Sequence, residues 1–122
     1  MNTDRLSPNF TRDEFACKCG CGFDDVDPKL IVALQKLRDI IAAPIHVNSG
    51  CRCRKHNAAQ PGHSPRSQHL LGRAADVVVH GLSPAMVAGI AEAVPEFDNG
   101  GIGIYGTFTH LDVRGVRARW TL

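Results

Sequence analysis

Three residues of this sequence have the side chains of a hydrolytic zinc site: His69, Asp76 and His110. Two imidazoles and one carboxylate can hold a zinc ion and leave a fourth position open for water. Zinc bound in this way lowers the pKa of that water to about 7 and polarises a nearby carbonyl group. Whether these residues can do such chemistry depends on whether the chain brings them together.

The seven-residue spacing between His69 and Asp76 requires a turn. A strand would separate them by roughly 23 Å and a helix by about 10 Å, whereas zinc bonds are about 2.0–2.2 Å long. Gly72 lies between them and permits the turn. Residues 73–79 then have the pattern of a buried strand, in which an ionised Asp76 is costly without a cation. The alternative to a metal is a capped or salt-bridged Asp76, with Arg73 nearby.

The last histidine lies in a segment with strand alternation, residues 107–114. This alternation places His110 and Asp112 on the same face. Asp112 is therefore the candidate catalytic carboxylate, acting as general base near the metal. Alternatively it holds the His110 ring through the second ring nitrogen.

One pattern in the sequence resembles a known family: Ser67-x-His69-x-x-Gly72-x-Ala74-x-Asp76, followed by His110-x-Asp112. It is similar to the zinc D-Ala-D-Ala carboxypeptidase family of metallopeptidases, and most of all to its small phage and prophage members. The resemblance spans residues 6–120. It implies the α+β hedgehog/DD-peptidase-like fold, with His69, Asp76 and His110 as zinc ligands. It also implies cleavage of peptidoglycan stem peptides by a D,D-carboxypeptidase or a cross-link endopeptidase, such as a phage endolysin.

The same resemblance extends to the substrate side of the site. Residues 48–52 resemble the Ser-Gly-x-Arg segment of that family, whose arginine is understood to face the substrate. A planar guanidinium binds both oxygens of a terminal carboxylate, so Arg52 is the candidate, with Arg54 as the second choice. Ser67 and Gln68 adjoin the first ligand and are candidate hydrogen-bond partners of the substrate, although both are also ordinary turn residues.

The sequence departs from the family at the general base. Some members carry Glu three residues before the last ligand, where this chain has Thr107, and others carry His two residues before it, where this chain has Phe108. Asp112 is the nearest carboxylate, and Asp98 is another acidic candidate. Two other classes therefore stay open: a non-catalytic zinc module that recognises cell-wall peptide or another protein, and a structural phage component.

Five cysteines form two groups: Cys17, Cys19 and Cys21, then Cys51 and Cys53. An odd number excludes a complete set of disulfides within one chain. One hypothesis is a second, closed zinc site that joins the N-terminal segment to the loop of Arg52. The alternatives are free buried thiols, or one bridge between the two groups formed outside the cell.

Composition indicates one small globular domain, residues 1–122, with 43% hydrophobic and 21% charged residues. A net charge of +2 gives no argument for nucleic acid. The C-terminal Arg114, Arg117 and Arg119 favour either an anionic polymer such as a cell wall or a solvated tail. The chain contains no apolar run of membrane-spanning length and no N-terminal apolar signal region. We expect cytoplasmic synthesis without a signal peptide, action on the wall if released, and a monomer.

The predicted elements are helices packed on a small antiparallel sheet, with the site at the edge of the sheet. Asp27 and Pro28 begin a helix that ends near Ala42, and Ser83 caps a second helix to about Ala93. Residues 11–14 have capping-box spacing for a short helix.

Overall fold

The computed structural model describes residues 4–61 and 63–122. Along the chain its elements are β1 (Arg5–Ser7), β2 (Phe10–Thr11), a 3₁₀ helix (Arg12–Phe15), α1 (Pro28–Ile41), β3 (His46–Ser49), α2 (Arg54–Ala58), a second 3₁₀ helix (Gln68–Leu71), β4 (Ala74–Val78), α3 (Pro84–Ala91), α4 (Pro95–Asp98), β5 (Gly101–Ile104), β6 (Thr109–Asp112) and β7 (Ala118–Thr121). β1 and β2 form a hairpin, and the other five strands form a sheet in the order β3-β4-β6-β5-β7. The fold is α+β, as predicted.

The longest helix, α1, begins where the sequence predicts. The Asp27 side chain accepts a hydrogen bond from the Lys29 N–H, and Pro28 occupies the first helical position. Helical spacing then buries Leu30, Leu34 and Leu37 in the core. α1 packs beside α3 and α4, and together the helices cover one face of the sheet.

Strand alternation separates the core from the site. On β4, Ala75 and Val77 point into the core, while Asp76 points to the opposite face. On β6, Leu111 lies in the core and His110 shares the face of Asp76. The apolar face is therefore sealed by helices, and the polar side chains collect on the other face.

A single register row crosses all five strands: Ser49, Asp76, His110, Gly103 and Trp120. Asp76 and His110 lie on the second and third strands of the five. The expectation of a site at the edge of the sheet is therefore wrong, because the chain places β3 outside β4 and places β5 and β7 beyond β6.

The C-terminal segment is also different from a solvated tail. β7 pairs in parallel with β5, whereas the other strand pairs of the described sheet are antiparallel. Arg119 donates to the carbonyl oxygens of Gly100 and Asp98 and pairs with the Asp98 carboxylate. The alternative of a solvated tail is wrong, because residues 118–121 pair with the edge of β5.

Within residues 4–61 and 63–122, no helix has the length and apolarity needed to cross a membrane.

Candidate metal centre

His69, Asp76 and His110 meet on the open face of the sheet. The Oδ1 atom of Asp76 lies 3.2 Å from Nε2 of His69 and 3.2 Å from Nδ1 of His110. All three ligand atoms lie within 4.8 Å of one another, and the three residues are buried. The structure therefore brings together the three residues that the sequence singled out.

Gly72 makes the turn that this meeting requires. It follows the 3₁₀ helix that carries His69 and has φ of 67°, in the left-handed region. A Cβ at this position would also overlap the carbonyl oxygen of Asp25. β4 begins two residues later and carries Asp76 back towards His69.

A hydrogen bond on the far side of each imidazole fixes its orientation. Nδ1 of His69 lies 2.6 Å from the carbonyl oxygen of Gly50, an acceptor, so this nitrogen carries the proton. Nε2 of His110 lies 2.7 Å from Oδ2 of Asp112 and donates to it. These partners assign the tautomers, and the lone pairs of the remaining ring nitrogens then face Asp76. Such outer hydrogen bonds are typical of metal-binding histidines.

The geometry of these donors fits a zinc ion. Two unprotonated ring nitrogens and a carboxylate oxygen are all acceptors, so they repel one another unless a positive charge lies between them. Zinc bonds of about 2.0–2.2 Å in tetrahedral geometry separate neighbouring ligand atoms by roughly 3.3–3.6 Å. The two distances of 3.2 Å between ligand atoms are close to that range.

The electrostatics of the cluster favour an ionised carboxylate. Burial opposes ionisation of Asp76, but its contacts with the His110 and His69 imidazoles outweigh that cost and lower its pKa below the usual range. Burial lowers the pKa of His69 and keeps its ring neutral, as a zinc ligand must be. Burial also opposes the charged form of His110, but Asp112 and Asp76 together raise its pKa. A proton and a zinc ion therefore compete for Nδ1 of His110.

Asp112 lies behind His110 and not beside the open position. Its side chain is fully buried. Oδ1 accepts from the backbone N–H groups of Gly101 and Arg114, and Oδ2 accepts from His110 and the Arg114 guanidinium. A carboxylate offers about four lone-pair sites, and these partners occupy them. This is the arrangement expected of a carboxylate that orients a ligand.

Arg52 contacts the cluster directly. It donates from Nη2 to Oδ2 of Asp76 at 2.9 Å, from Nε to Ser49 at 3.1 Å and from Nη1 to Asn57 at 3.3 Å. Two of its five N–H donors remain for a further partner. Asp76 is therefore salt-bridged, but to Arg52 and not to Arg73, because the Arg73 guanidinium pairs with Asp27 at 3.5 Å.

A cavity of about 850 Å³ opens over the cluster. Its lining includes the three candidate ligands, the cationic residues Arg52, Arg66 and Arg114, the aromatic residues Tyr105, Phe108 and Trp120, and the polar residues His63, Ser67 and Gln68. Asp76 is the one carboxylate side chain in this lining among the described residues.

The remaining sequence candidates fall into two groups. Ser67 and Gln68 line the cavity beside His69, and Ser67 Oγ accepts from the His69 N–H. The Oε1 atom of Gln68 is buried without a hydrogen-bond partner among the described residues. Arg54 lines a smaller adjoining cavity of about 420 Å³. Asp98 lies outside both linings and pairs with Arg119.

Trp120 is a residue of the site that the sequence did not indicate. Its ring lies 5.0 Å from the His110 ring, and the Arg114 guanidinium lies 5.2 Å from the centre of the indole. Gly103 allows this close approach, because a Cβ there would overlap the indole. The parallel pairing of β7 brings Trp120 into place, and no local pattern in the sequence predicts such a pairing.

Comparison with known proteins identifies the family of this chain. The model of the family described as Peptidase M15 matches residues 8–112, which include all three candidate ligands. A search of curated proteins found no match to the chain. The match covers most of the sequence, and the His-Asp-His cluster fits the zinc that such enzymes use. The chain therefore belongs to the peptidase M15 family of zinc metallopeptidases.

Proposed function

We propose that this protein is a zinc-dependent peptidase that cleaves peptidoglycan stem peptides, as a D,D-carboxypeptidase or a cross-link endopeptidase of phage-endolysin type. The observation that carries the proposal is the convergence of three lone pairs, from His69, Asp76 and His110, at the floor of an open cavity. When bound there, zinc supplies a Lewis acid that activates water and polarises a peptide carbonyl.

The residues around the cavity have defined tasks in this proposal. The Gly50 carbonyl and Asp112 hold the two imidazoles in the tautomers that bind a metal. Asp112 therefore acts as a positioning residue and not as the general base. Among the described residues, His63 is the one imidazole that lines the cavity outside the ligand set, and we assign proton transfer to it.

The charge of the cavity supports a substrate with a free carboxylate. Arg52, Arg66 and Arg114 all line it. Arg52 already contacts the metal ligand Asp76 and keeps two free donors, so it can bind a terminal carboxylate close to the scissile bond. This geometry favours a bond near the carboxyl end of a stem peptide.

A second candidate function is a non-catalytic zinc module that binds cell-wall peptide. One observation favours it: Asp76 is the one carboxylate side chain lining the cavity in the described ranges, and Asp112 is fully hydrogen-bonded behind His110. Binding without cleavage would then be the activity of the same cavity.

An assay with purified muropeptides separates the two functions. We expect the zinc-loaded protein to release D-alanine from stem peptides ending in D-Ala-D-Ala, or to open cross-linked dimers, with mass spectrometry identifying the products. A chelator should stop the reaction and added zinc should restore it. Binding of the same peptides with no product would support the binding module instead.

Arg52→Ala tests the assignment of the substrate carboxylate. Losing charge-assisted hydrogen bonds costs about 2–3 kcal/mol, so we expect kcat/KM for peptides with a free C-terminus to fall roughly 30- to 100-fold. The kcat/KM for amidated peptides should fall much less. Arg52→Lys should restore only part of the activity, because lysine lacks the planar guanidinium fork.

Arg54→Ala is the matched control, since Arg54 lines only the adjoining smaller cavity. It should leave kcat/KM for both the free and the amidated peptides nearly unchanged. Zinc content must be measured alongside, because Arg52 also holds Asp76. Equal losses for free and amidated peptides would mean that Arg52 only supports the metal ligand.

A further inference from the structure

The side chains of four of the five cysteines lie close together beside the loop that carries Arg52, apart from the His-Asp-His cluster. The Sγ atoms of Cys17, Cys19, Cys21 and Cys53 all lie within 4.8 Å of one another. All five thiols are free, and Cys51 is buried in the hydrophobic core outside this group. Along the sequence the cysteines form a group of three and a group of two. In the fold, four of them lie together and Cys51 lies apart.

The sulfur separations match a metal site and not a disulfide. Cys17 and Cys19 are 3.4 Å apart at Sγ, and Cys19 and Cys53 are 3.6 Å apart. A disulfide needs about 2.05 Å. Four sulfurs around a tetrahedral zinc, with bonds of about 2.3 Å, lie roughly 3.8 Å from each other. A zinc ion at the centre would need only small shifts of the sulfurs.

Apolar packing does not explain the cluster. Cys19 and Cys21 are exposed, so their thiols gain little from leaving water. Two backbone N–H groups point at the sulfurs instead, from Cys53 to Cys17 and from His56 to Cys53, each at 3.4 Å. Such hydrogen bonds stabilise the negative charge of a metal-bound thiolate.

We propose that Cys17, Cys19, Cys21 and Cys53 hold a structural zinc ion in a closed tetrathiolate site, separate from the His-Asp-His centre. Residues 16–27 contain no helix or strand, so a metal would order this segment where regular backbone pairing does not. It would also fix Cys53, whose neighbour Arg52 contacts Asp76. Zinc binding at such a site contributes directly to folding free energy.

Zinc content of single variants tests this site without an activity assay. We expect the full-length protein to contain two zinc ions per chain by elemental analysis after gel filtration. Cys19→Ser and His69→Ala should each contain one. Cys51→Ser is the matched control and should keep two, because Cys51 lies outside the group. Cys19→Ser should also lower Tm, since it removes a metal-stabilised segment.

Cobalt substitution identifies the ligands of each ion. Cobalt bound to thiolates gives intense charge-transfer absorption, which we expect to remain in His69→Ala and to vanish in Cys19→Ser. The His69→Ala spectrum keeps the test valid should Cys19→Ser fail to fold. Unchanged zinc content in Cys19→Ser, a cobalt form without this absorption, or a disulfide among these cysteines in the purified protein would overturn the proposal. If the wild-type protein holds both zinc ions but cleaves no stem peptide, the result would count against the proposed function and not against the tetrathiolate site.

Discussion

We expect His69→Ala to reduce peptide hydrolysis by at least about 10³-fold, more than the loss of a typical oxyanion-hole donor. His69 supplies one of the three ligand atoms of the cluster, its Nε2 lies 3.2 Å from Asp76 Oδ1, and its ring is held by the Gly50 carbonyl. Two remaining ligands bind zinc weakly and leave too few bonds to fix its geometry. The rate should be measured on muropeptides, together with the zinc content of the purified variant.

His80→Ala is the control for this variant, because His80 is exposed and lies outside the cavity lining. It should keep wild-type zinc content and rate. Circular dichroism must show that His69→Ala is folded, since His69 is only 2% exposed. A folded His69→Ala protein with wild-type zinc affinity and rate would exclude His69 as a ligand.

The second large effect, on zinc binding, is expected for Asp112→Asn. This variant distinguishes a carboxylate that orients His110 from a general base. Loss of a carboxylate that orients a metal-bound histidine weakens zinc binding about 10- to 100-fold. We therefore expect lower zinc affinity and lower Tm, because Asp112 is also buried against Arg114, with kcat largely restored at saturating zinc. A general base would show the opposite pattern: normal zinc binding and a loss of about 10²–10⁴-fold in kcat at every zinc concentration.

Asp98→Asn is the matched carboxylate control. Asp98 pairs with Arg119 away from the cavity, so its loss should cost no more than about 1 kcal/mol of stability and leave the rate unchanged. His63→Gln is the complementary variant, for which we expect a lower kcat with unchanged zinc affinity. If zinc fails to rescue Asp112→Asn while His63→Gln is fully active, Asp112 and not His63 is the general base.

The sequence alone determined the parts of this protein that depend on local rules. The helix at Pro28 follows from its cap and its apolar spacing. The turn at Gly72 follows from the need to bring His69 and Asp76 together, and the shared face of His110 and Asp112 follows from strand alternation. Each of these depends on residues fewer than ten positions apart, where backbone geometry leaves few choices.

Tertiary structure decided the features that depend on distant pairing. The order of strands puts Asp76 and His110 on inner strands of the sheet, and the parallel pairing of β7 brings Trp120 beside His110. Arg52, rather than Arg73, reaches Asp76 because the loop after β3 passes over the same face. The role of Asp112 depends on the direction of its buried oxygens, which its neighbours on β5 and after β6 determine. Strand alternation gives the face of a side chain, but only long-range packing gives its partners.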